Sequence, residues 1–479
     1  MHGKTLFAAC LCLLSAIAPV AVAGESTGLE PALQLIEELR LDGDVEAAAA
    51  RATELVASHP DSLEAHVAHQ DLELSLGKAK AVLRDYKRRS RATTATADDR
   101  YLYARLLTGD DAVDAYEKAL ELDADHVWSL IGLGIERTTL GELDDADEVL
   151  RRAAKLDPES AVAVNALGRV SEARGNVTEA IERFRKAVEL DDGLTIARVN
   201  LGLAQLRKGD IEPAVKTLDA AAKAAPKDPL PLLGLGSALS ADDRREEAVT
   251  VFRKALGLDG NNLTTLNLLG NAYLNLDRFD LAGEALRRAL AIDENHFETR
   301  INLAYLSLSL MDLELARDHT EAALEIDEKS ATAHHLHGLT YEWDGDARKA
   351  EKAYVKAAKL DPEEPRYVRA QALLHESNGR YKKALKLFRR VVDMTGGAID
   401  GVYDLALALQ GAGKAEDAVR EFETVVSLDD THTGGWINLG ILYREQLREP
   451  EKAIDAFRRY LELGGDDPRV RDWLADLTD

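Results

Sequence analysis

Apolar and polar residues alternate along most of this chain with the period of amphipathic helices, and short polar turns separate the helical stretches. In EAIERFRKAVEL from Glu179, apolar residues recur every three or four positions, and Glu182 and Lys186 form an i,i+4 pair on the polar side. Turns such as GNVTEA from Gly175 and GKAEDA from Gly413 begin with glycine, which permits the positive φ that ends a helix. The pattern predicts an all-α chain built from pairs of helices.

Small residues recur in this pattern with a period of 34 residues, counted from Val127 to His432 without insertion or deletion. The eighth position of the nine units reads Gly134, Gly168, Gly202, Gly236, Gly270, Ala304, Gly338, Ala372 and Ala406. The twentieth position is alanine in every unit, and the twenty-fourth is bulky except at Thr320. Close helix pairs lie only about 8–10 Å apart, so small residues are expected where the two helices of a unit cross.

This period and these small residues resemble the tetratricopeptide repeat. The clearest unit carries the family signature at Trp436, Leu439, Gly440, Tyr443, Ala453 and Phe457, with one extra residue in its turn. The resemblance implies a right-handed α-α solenoid, or superhelix, of helix-turn-helix units. We expect degenerate units over residues 24–126, nine in-phase units over 127–432, a final unit over 433–466 and a capping helix over 467–479. The Thr-rich segment Ser90–Asp99 is expected to form a long loop or a hinge.

Residues 1–23 have the features of a signal peptide. Lys4 precedes an uncharged apolar run, and Ala21-Val22-Ala23 matches a signal peptidase site before Gly24. An uncleaved membrane anchor is the alternative. The only two cysteines, Cys10 and Cys12, lie in this segment, so the mature chain would have no disulfide, thiolate metal site or cysteine nucleophile. We therefore expect an exported protein, periplasmic or else extracellular or held at the membrane.

The net charge of −25 argues against nucleic acid or an anionic membrane surface as the main partner. No phosphate-binding loop, zinc-protease motif or paired catalytic carboxylates are found, so we expect no enzyme activity, cofactor or catalytic metal. His334 and His337 have the spacing of metal ligands, but they occupy core positions of the repeat. Buried histidines that form hydrogen bonds explain them more simply.

By the same resemblance, the first helices of the units line a concave groove. An apolar stretch of groove positions is either a trough for a peptide or packing between neighbouring first helices. It comprises Trp128, Ile131, Ile135, Val162, Ile196, Val199, Leu203, Leu206, Leu230 and Leu233.

A polar stretch of groove positions comprises Asn165, Asn200, Asn267, Asn271, Asn302, Tyr305, His335, Trp343, Arg366, Arg369 and Asn438. Asparagine side chains both donate to and accept from a peptide backbone, although hydrogen bonding between helices is the alternative. Arg366 and Arg369 are suited to a carboxylate. Only Asn271 and Asn302 match the carboxylate clamp of chaperone-binding family members, so that clamp is doubtful.

These observations favour a non-enzymatic scaffold of the bacterial cell envelope that binds protein or peptide segments along the groove, in assembly of a surface or secretion complex. The alternative is an accessory subunit of an envelope polysaccharide or glycosyltransferase machine. The oligomeric state is not predicted.

Overall fold

A computed structural model describes residues 29–478, and the predicted signal peptide lies outside them. The contacts between helices divide the chain into two units, one ending at Arg278 and the other beginning at Phe279. The helices of the first unit are α1 (Leu29–Leu41), α2 (Val45–Ser58), α3 (Leu63–Ser75), α4 (Ala79–Ser90), α5 (Ala97–Ala104), α6 (Asp110–Leu122), α7 (Val127–Leu140), α8 (Leu143–Leu156), α9 (Ala161–Ala173), α10 (Val177–Leu190), α11 (Thr195–Lys208), α12 (Ile211–Ala224), α13 (Pro229–Ala241), α14 (Arg245–Leu258) and α15 (Leu263–Leu274).

The helices of the second unit are α16 (Phe279–Ile292), α17 (Phe297–Ser309), α18 (Leu313–Ile326), α19 (Ala331–Trp343), α20 (Ala347–Leu360), α21 (Pro365–Ser377), α22 (Tyr381–Met394), α23 (Ile399–Gly411), α24 (Ala415–Leu428), α25 (Thr433–Leu442), α26 (Pro450–Glu462) and α27 (Pro468–Thr478). Between residues 29 and 478 no strand is present, so the all-α prediction is confirmed. No helix in this range is long and apolar enough to cross a membrane.

First helices begin every 34 residues from α7 at Val127 to α25 at Thr433. Recurrent caps hold these starts in place: the side chains of Ser160 and Ser330 accept hydrogen bonds from Ala163 N and Ala333 N. Many first helices end at a glycine in the left-handed region, such as Gly209 with φ of 91°. Local sequence therefore sets both ends of each helix, independently of what the helix binds.

Within each of the two units, helix pairs pack through the small residue at the eighth position, as two glycines illustrate. A Cβ added at Gly168 would lie 2.5 Å from Phe184 Cε1, and one at Gly338 would lie 2.5 Å from Tyr354 Cδ1. The bulky twenty-fourth position thus occupies the space that the missing side chain leaves. Thr320, the smaller residue at that position, is fully buried and its hydroxyl donates to Arg317 O.

The segment between α4 and α5 is shorter than the sequence suggested. Residues 97–99 belong to α5, because Thr96 and Asp99 form a capping box that starts the helix there. The loop is therefore Arg91–Thr96, and the prediction of a loop over Ser90–Asp99 is wrong at both ends, since Ser90 is the last residue of α4. Within the first unit, Lys227 Nζ lies 2.6 Å from Asp42 Oδ1, which joins two turns 185 residues apart in sequence.

The extra residue of the last repeat is absorbed by a π-helical turn, Tyr443–Leu447, which separates α25 from α26. The final helix, α27, then covers α26: Val470 is fully buried, and the ring of Trp473 lies 5.4 Å from that of Phe457. These contacts give α26 the apolar neighbour that a further repeat would otherwise provide.

Candidate peptide-binding site

Within each unit, first helices of successive pairs contact one another, as α7 does α9 in the first unit and α17 does α19 in the second. Their shared surface is called the first-helix face here, and it carries the positions assigned to the groove. In the first unit, this packing buries several residues of the predicted apolar trough. Ile131, Val199 and Leu233 are each no more than 2% exposed, so they have no surface left for a ligand. Trp128 and Ile135 are half-buried and pack against the same core clusters.

The asparagines of this face bond to other groups of the protein, either within their own helix or on a neighbouring one. Asn200 Nδ2 donates to Asn165 Oδ1 at 3.0 Å, and Asn438 Nδ2 donates to Gly434 O at 2.8 Å. Asn271 accepts from Asn275 Nδ2 at 3.2 Å. Asn267 and Asn302 are buried. The bond between Asn200 and Asn165 joins two helices, whereas the other two bonds lie within α25 and at the end of α15. These amides are engaged inside the protein, which favours a structural role over a ladder that is open to a peptide.

Several of these contacts join residues 35 apart, because the fifth position of one first helix meets the sixth position of the next. Asn165 and Asn200 form one such pair, and Tyr403 and Asn438 form another. Arg369 forms a third, donating through Nε and Nη2 to the carboxylate of Asp404, which is 7% exposed. The structure therefore places Arg369 in an ion pair with Asp404, with its own side chain 47% exposed. The prediction that its charge meets a ligand carboxylate stays a prediction.

Arg366 has a different environment, in a group that we call the Arg366 cluster: Tyr305, Thr332, His335, Arg366 and Tyr367. Arg366 Nη2 donates to Tyr367 Oη at 2.8 Å, and its guanidinium lies 4.8 Å from the centre of that ring. Thr332 Oγ1 lies 3.1 Å from Tyr367 Oη. Tyr367 thus contacts the arginine directly, and Thr332 contacts the hydroxyl of Tyr367.

The positive charge of Arg366 is only weakly compensated. Its nearest carboxylate, that of Glu364, lies 3.9 Å from Nε, and the side chain of Arg366 is 31% exposed. Arg366 Nε and His335 Nδ1 are buried, and neither has a hydrogen-bond partner among the described residues. An unsatisfied buried polar group costs about 1–3 kcal/mol, so a bound acceptor that reaches this cluster would stabilise it.

His335 is neutral near pH 7, because burial and then the Arg366 charge lower its pKa to about 4. Its ring lies 5.4 Å from that of Tyr367 and 5.5 Å from that of Tyr354. Burial likewise raises the pKa of Tyr305. Arg366 is therefore the only member of the Arg366 cluster that is charged at neutral pH.

Trp343, at the end of α19, is 45% exposed.

Sequence reasoning found Tyr305, His335 and Arg366 by their repeat positions but missed Tyr367, which lies at a third position. A tyrosine directly after Arg366 was the available signal. His334 and His337 each have a hydrogen-bond partner, Glu328 O at 3.1 Å and Thr320 Oγ1 at 2.9 Å. In the part of the chain that the structure describes, no three His, Cys, Asp or Glu side chains are arranged to hold a metal ion.

Comparisons with known proteins agree with the repeat pattern. Three tetratricopeptide-repeat models match the chain: one at residues 131–194, 336–399 and 403–468, one at 172–232, and one at 232–262 and 263–296. The chain has no significant match among curated proteins. Its structure is similar to the crystal structure of the APC/C hetero-tetramer Cut9-Hcn1, with a TM-score of 0.52 and 16% identity, over 94% of this chain and 90% of that chain.

That similarity concerns the fold alone, because the sequence identity is low. The family models identify the repeat independently of it, and they agree with helix pairs that begin every 34 residues and pack through glycine or alanine. The chain therefore belongs to the tetratricopeptide-repeat family and folds as an α-α solenoid.

Proposed function

We propose that this protein is a non-enzymatic scaffold that binds an extended segment of a partner protein on its first-helix face, with the Arg366 cluster as the anchor. The observation that carries the proposal is the partly exposed, weakly compensated charge of Arg366, which lies against Tyr367 and is close enough to His335 to lower the pKa of that residue. A side-chain carboxylate, a chain terminus or a backbone carbonyl of the partner would accept hydrogen bonds from this guanidinium.

Other polar side chains of the first-helix face support such a role, because they already have partners within the protein. Asn200, Asn438 and Arg369 bond to Asn165, Tyr403 and Asp404 of the preceding or following first helix, so they keep adjacent first helices in register. A segment lying along the face would then be recognised at few points, with Arg366 fixing its position. This division between rigid support and one anchor is common at protein interfaces, where a few residues dominate the binding energy.

The test is a pull-down from an envelope fraction with residues 24–479, beside Arg366→Gln. Arg389→Gln on α22 is the matched control, since it removes the same charge from an exposed position of a second helix. Both variants must keep the helical circular dichroism of the parent. A partner that is lost with Arg366→Gln and kept with Arg389→Gln supports the proposal. A partner kept equally by both contradicts it, and capture of a polysaccharide-processing enzyme would favour the accessory role.

We also propose that the chain is exported and that residues 1–23 are removed, with assembly of a surface or secretion complex in a bacterial envelope as its setting. The apolar run with its Ala21-Val22-Ala23 ending supports this. Intact mass of the protein purified from cell fractions tests it. A periplasmic species that begins at Gly24 is expected. A membrane-bound species that retains Met1 would support the anchor instead, and a cytoplasmic full-length chain would contradict export.

A further inference from the structure

A cavity of about 710 Å³ opens in the second unit among α18, α19 and α20, away from the Arg366 cluster. His334, His337 and Tyr341 of α19 line it on one side, and Leu324 of α18 on another. Pockets of about 300–1,000 Å³ are typical of ligand sites. We call this cavity, with the four lysines of α20 described below, the lysine pocket.

The repeat pattern explains why the lysine pocket is open. Its fourth and seventh positions hold His334 and His337, where the last repeat holds Trp436 and Leu439. Thr320, the smaller residue at the twenty-fourth position of the preceding unit, lies beside His337. His334 is smaller than its equivalent Trp436, and the ring of His337 is less compact than the side chain of Leu439. Part of the space between the helices is therefore left unfilled.

Four lysines of α20 line the lysine pocket: Lys349, Lys352, Lys356 and Lys359. Lys349 Nζ lies 3.4 Å from Asp346 and 4.9 Å from the centre of the Tyr341 ring. The other three are exposed and form no ion pair with any described residue. None of the described residues that line the cavity is an aspartate or glutamate. In a chain of net charge −25, Lys352, Lys356 and Lys359 therefore form a local concentration of positive charge with no ion pair among the described residues.

The interior of the lysine pocket is uncharged near neutral pH. Burial, with His334, Arg317 and Lys349 nearby, lowers the pKa of His337 to about 4. Burial also lowers the pKa of His334. The charge is therefore confined to the lysines, while Leu324, Ala353 and Val355 add apolar surface. Such a site suits a ligand that is apolar in one part and anionic around it.

The equivalent place in the last repeat provides a comparison within the same unit. A cavity of about 430 Å³ lies there, lined by Trp436, Leu439 and Tyr443. Asp455 stands where the lysine pocket has Lys352, and Glu423 also lines it. This cavity is smaller, and carboxylates are among the residues that line it. Neither the volume nor the positive charge of the lysine pocket is therefore a necessary consequence of the repeat.

We propose that the lysine pocket docks an acidic peptide segment of a partner protein, with one apolar side chain entering beside His337 and Tyr341 and carboxylates meeting Lys352, Lys356 and Lys359. This site is separate from the Arg366 cluster and does not rest on the function proposed for it. The apolar interior favours a peptide over a polyphosphate, which would gain nothing from Leu324 or Val355.

The test is a calorimetric titration of residues 24–479 with the synthetic peptide EEDLFDEE, beside EEDSSDEE, which has the same charge and lacks the apolar pair. Lys352→Asp/Lys356→Asp should weaken binding of EEDLFDEE by about tenfold or more. The matched control is Lys382→Asp/Lys386→Asp on α22, which makes the same charge change at exposed positions outside the pocket and should change binding by less than about twofold. His337→Leu, which puts the usual repeat residue into the cavity, should also weaken it.

Equal weakening by the two double variants would overturn the proposal, because the effect would then be net charge alone. Equal binding of EEDSSDEE would overturn it as well, and so would tripolyphosphate binding that EEDLFDEE cannot displace. Arg366→Gln should leave this titration unchanged, so failure of the lysine pocket and failure of the Arg366 cluster are distinguishable. All variants are checked by circular dichroism, and Lys352→Asp alone serves if the double variant does not fold.

Discussion

The helix pairs α19–α20 and α25–α26 are built on the same positions and differ in what surrounds them. Both have glycine at the eighth position, Gly338 and Gly440, packed under an aromatic ring. At the fourth and seventh positions the first pair has His334 and His337, whereas the second has Trp436 and Leu439. The first pair therefore encloses a large basic cavity, and the second a smaller one that contains carboxylates. Positions where helices cross are fixed, and chemistry varies at the positions between them.

The largest expected effect comes from making α25 resemble α19 at one position. Leu439 is 2% exposed, so Leu439→His should lower the free energy of unfolding by about 2–4 kcal/mol through lost apolar burial and a buried polar ring. The reverse change, His337→Leu, should alter it by less than about 1.5 kcal/mol. Urea unfolding followed by circular dichroism measures both. Equal losses in the two variants would mean that the cavities are not equivalent.

The shared glycines should behave alike in the two pairs. A Cβ at Gly338 would lie 2.5 Å from Tyr354, and a Cβ at Gly440 would lie 2.3 Å from Phe457. Gly338→Ala and Gly440→Ala should each cost about 1–3 kcal/mol, because the buried rings have little room to move. Gly257→Ala is the control: nothing lies within 4 Å of its added Cβ, and a small gain of about 0.5 kcal/mol is expected. Tolerance of both crossing variants would contradict the packing described here.

The next expected effect is on the pH dependence of stability, to which His337 of the α19–α20 pair contributes and its equivalent Leu439 of the α25–α26 pair does not. The pKa of His337 is about 4 in the folded chain and about 6.5 when unfolded, so the unfolded state binds more protons between these values. This group's contribution is present above pH 6.5 and is lost as the pH falls toward 4. His337→Leu should therefore lose less stability than the parent over that range, in thermal unfolding at a series of pH values. His335 keeps its own contribution in both proteins. An identical pH profile would show that His337 titrates normally.

The smallest expected effect on stability is that of the pocket lysines. Lys352→Asp places the residue of the last repeat into α20, at an exposed position with no ion pair among the described residues. The thermal midpoint should move by no more than the equivalent of about 0.5 kcal/mol, as for Lys386→Asp on α22. A larger loss in Lys352→Asp alone would mean that this lysine supports the fold, and any loss of peptide binding would then be indirect.

The sequence predicts the scaffold well because local chemistry determines it. Glycine or alanine at the eighth and twentieth positions follows from the close approach of two helices, and the caps at Ser160 and Ser330 follow from helix ends. The pairing of Arg369 with Asp404 could not be foreseen, because it depends on how successive repeats are rotated. Ile131 is buried and Arg366 is partly exposed, although both occupy groove positions.

The lysine pocket was missed for a related reason. His334 and His337 were interpreted as buried side chains with hydrogen bonds, and each does have a partner. The cavity is the space that these two side chains leave empty between the helices, and Lys352 and Lys356 of the following helix also line it. Comparing each repeat position with its equivalents, as at Trp436 and Leu439, is the signal that would have found it.

The most direct test of partner binding on the first-helix face is site-specific photo-cross-linking in cells that produce the protein. A photoreactive amino acid is placed at Tyr305 in the Arg366 cluster, and in a second protein at Arg389 on α22. We expect a cross-linked partner from the Tyr305 position that disappears when Arg366→Gln is added, and none of that partner from Arg389. The same partner cross-linked from Arg389, or from Tyr305 regardless of Arg366→Gln, would contradict the assignment of the Arg366 cluster as the anchor.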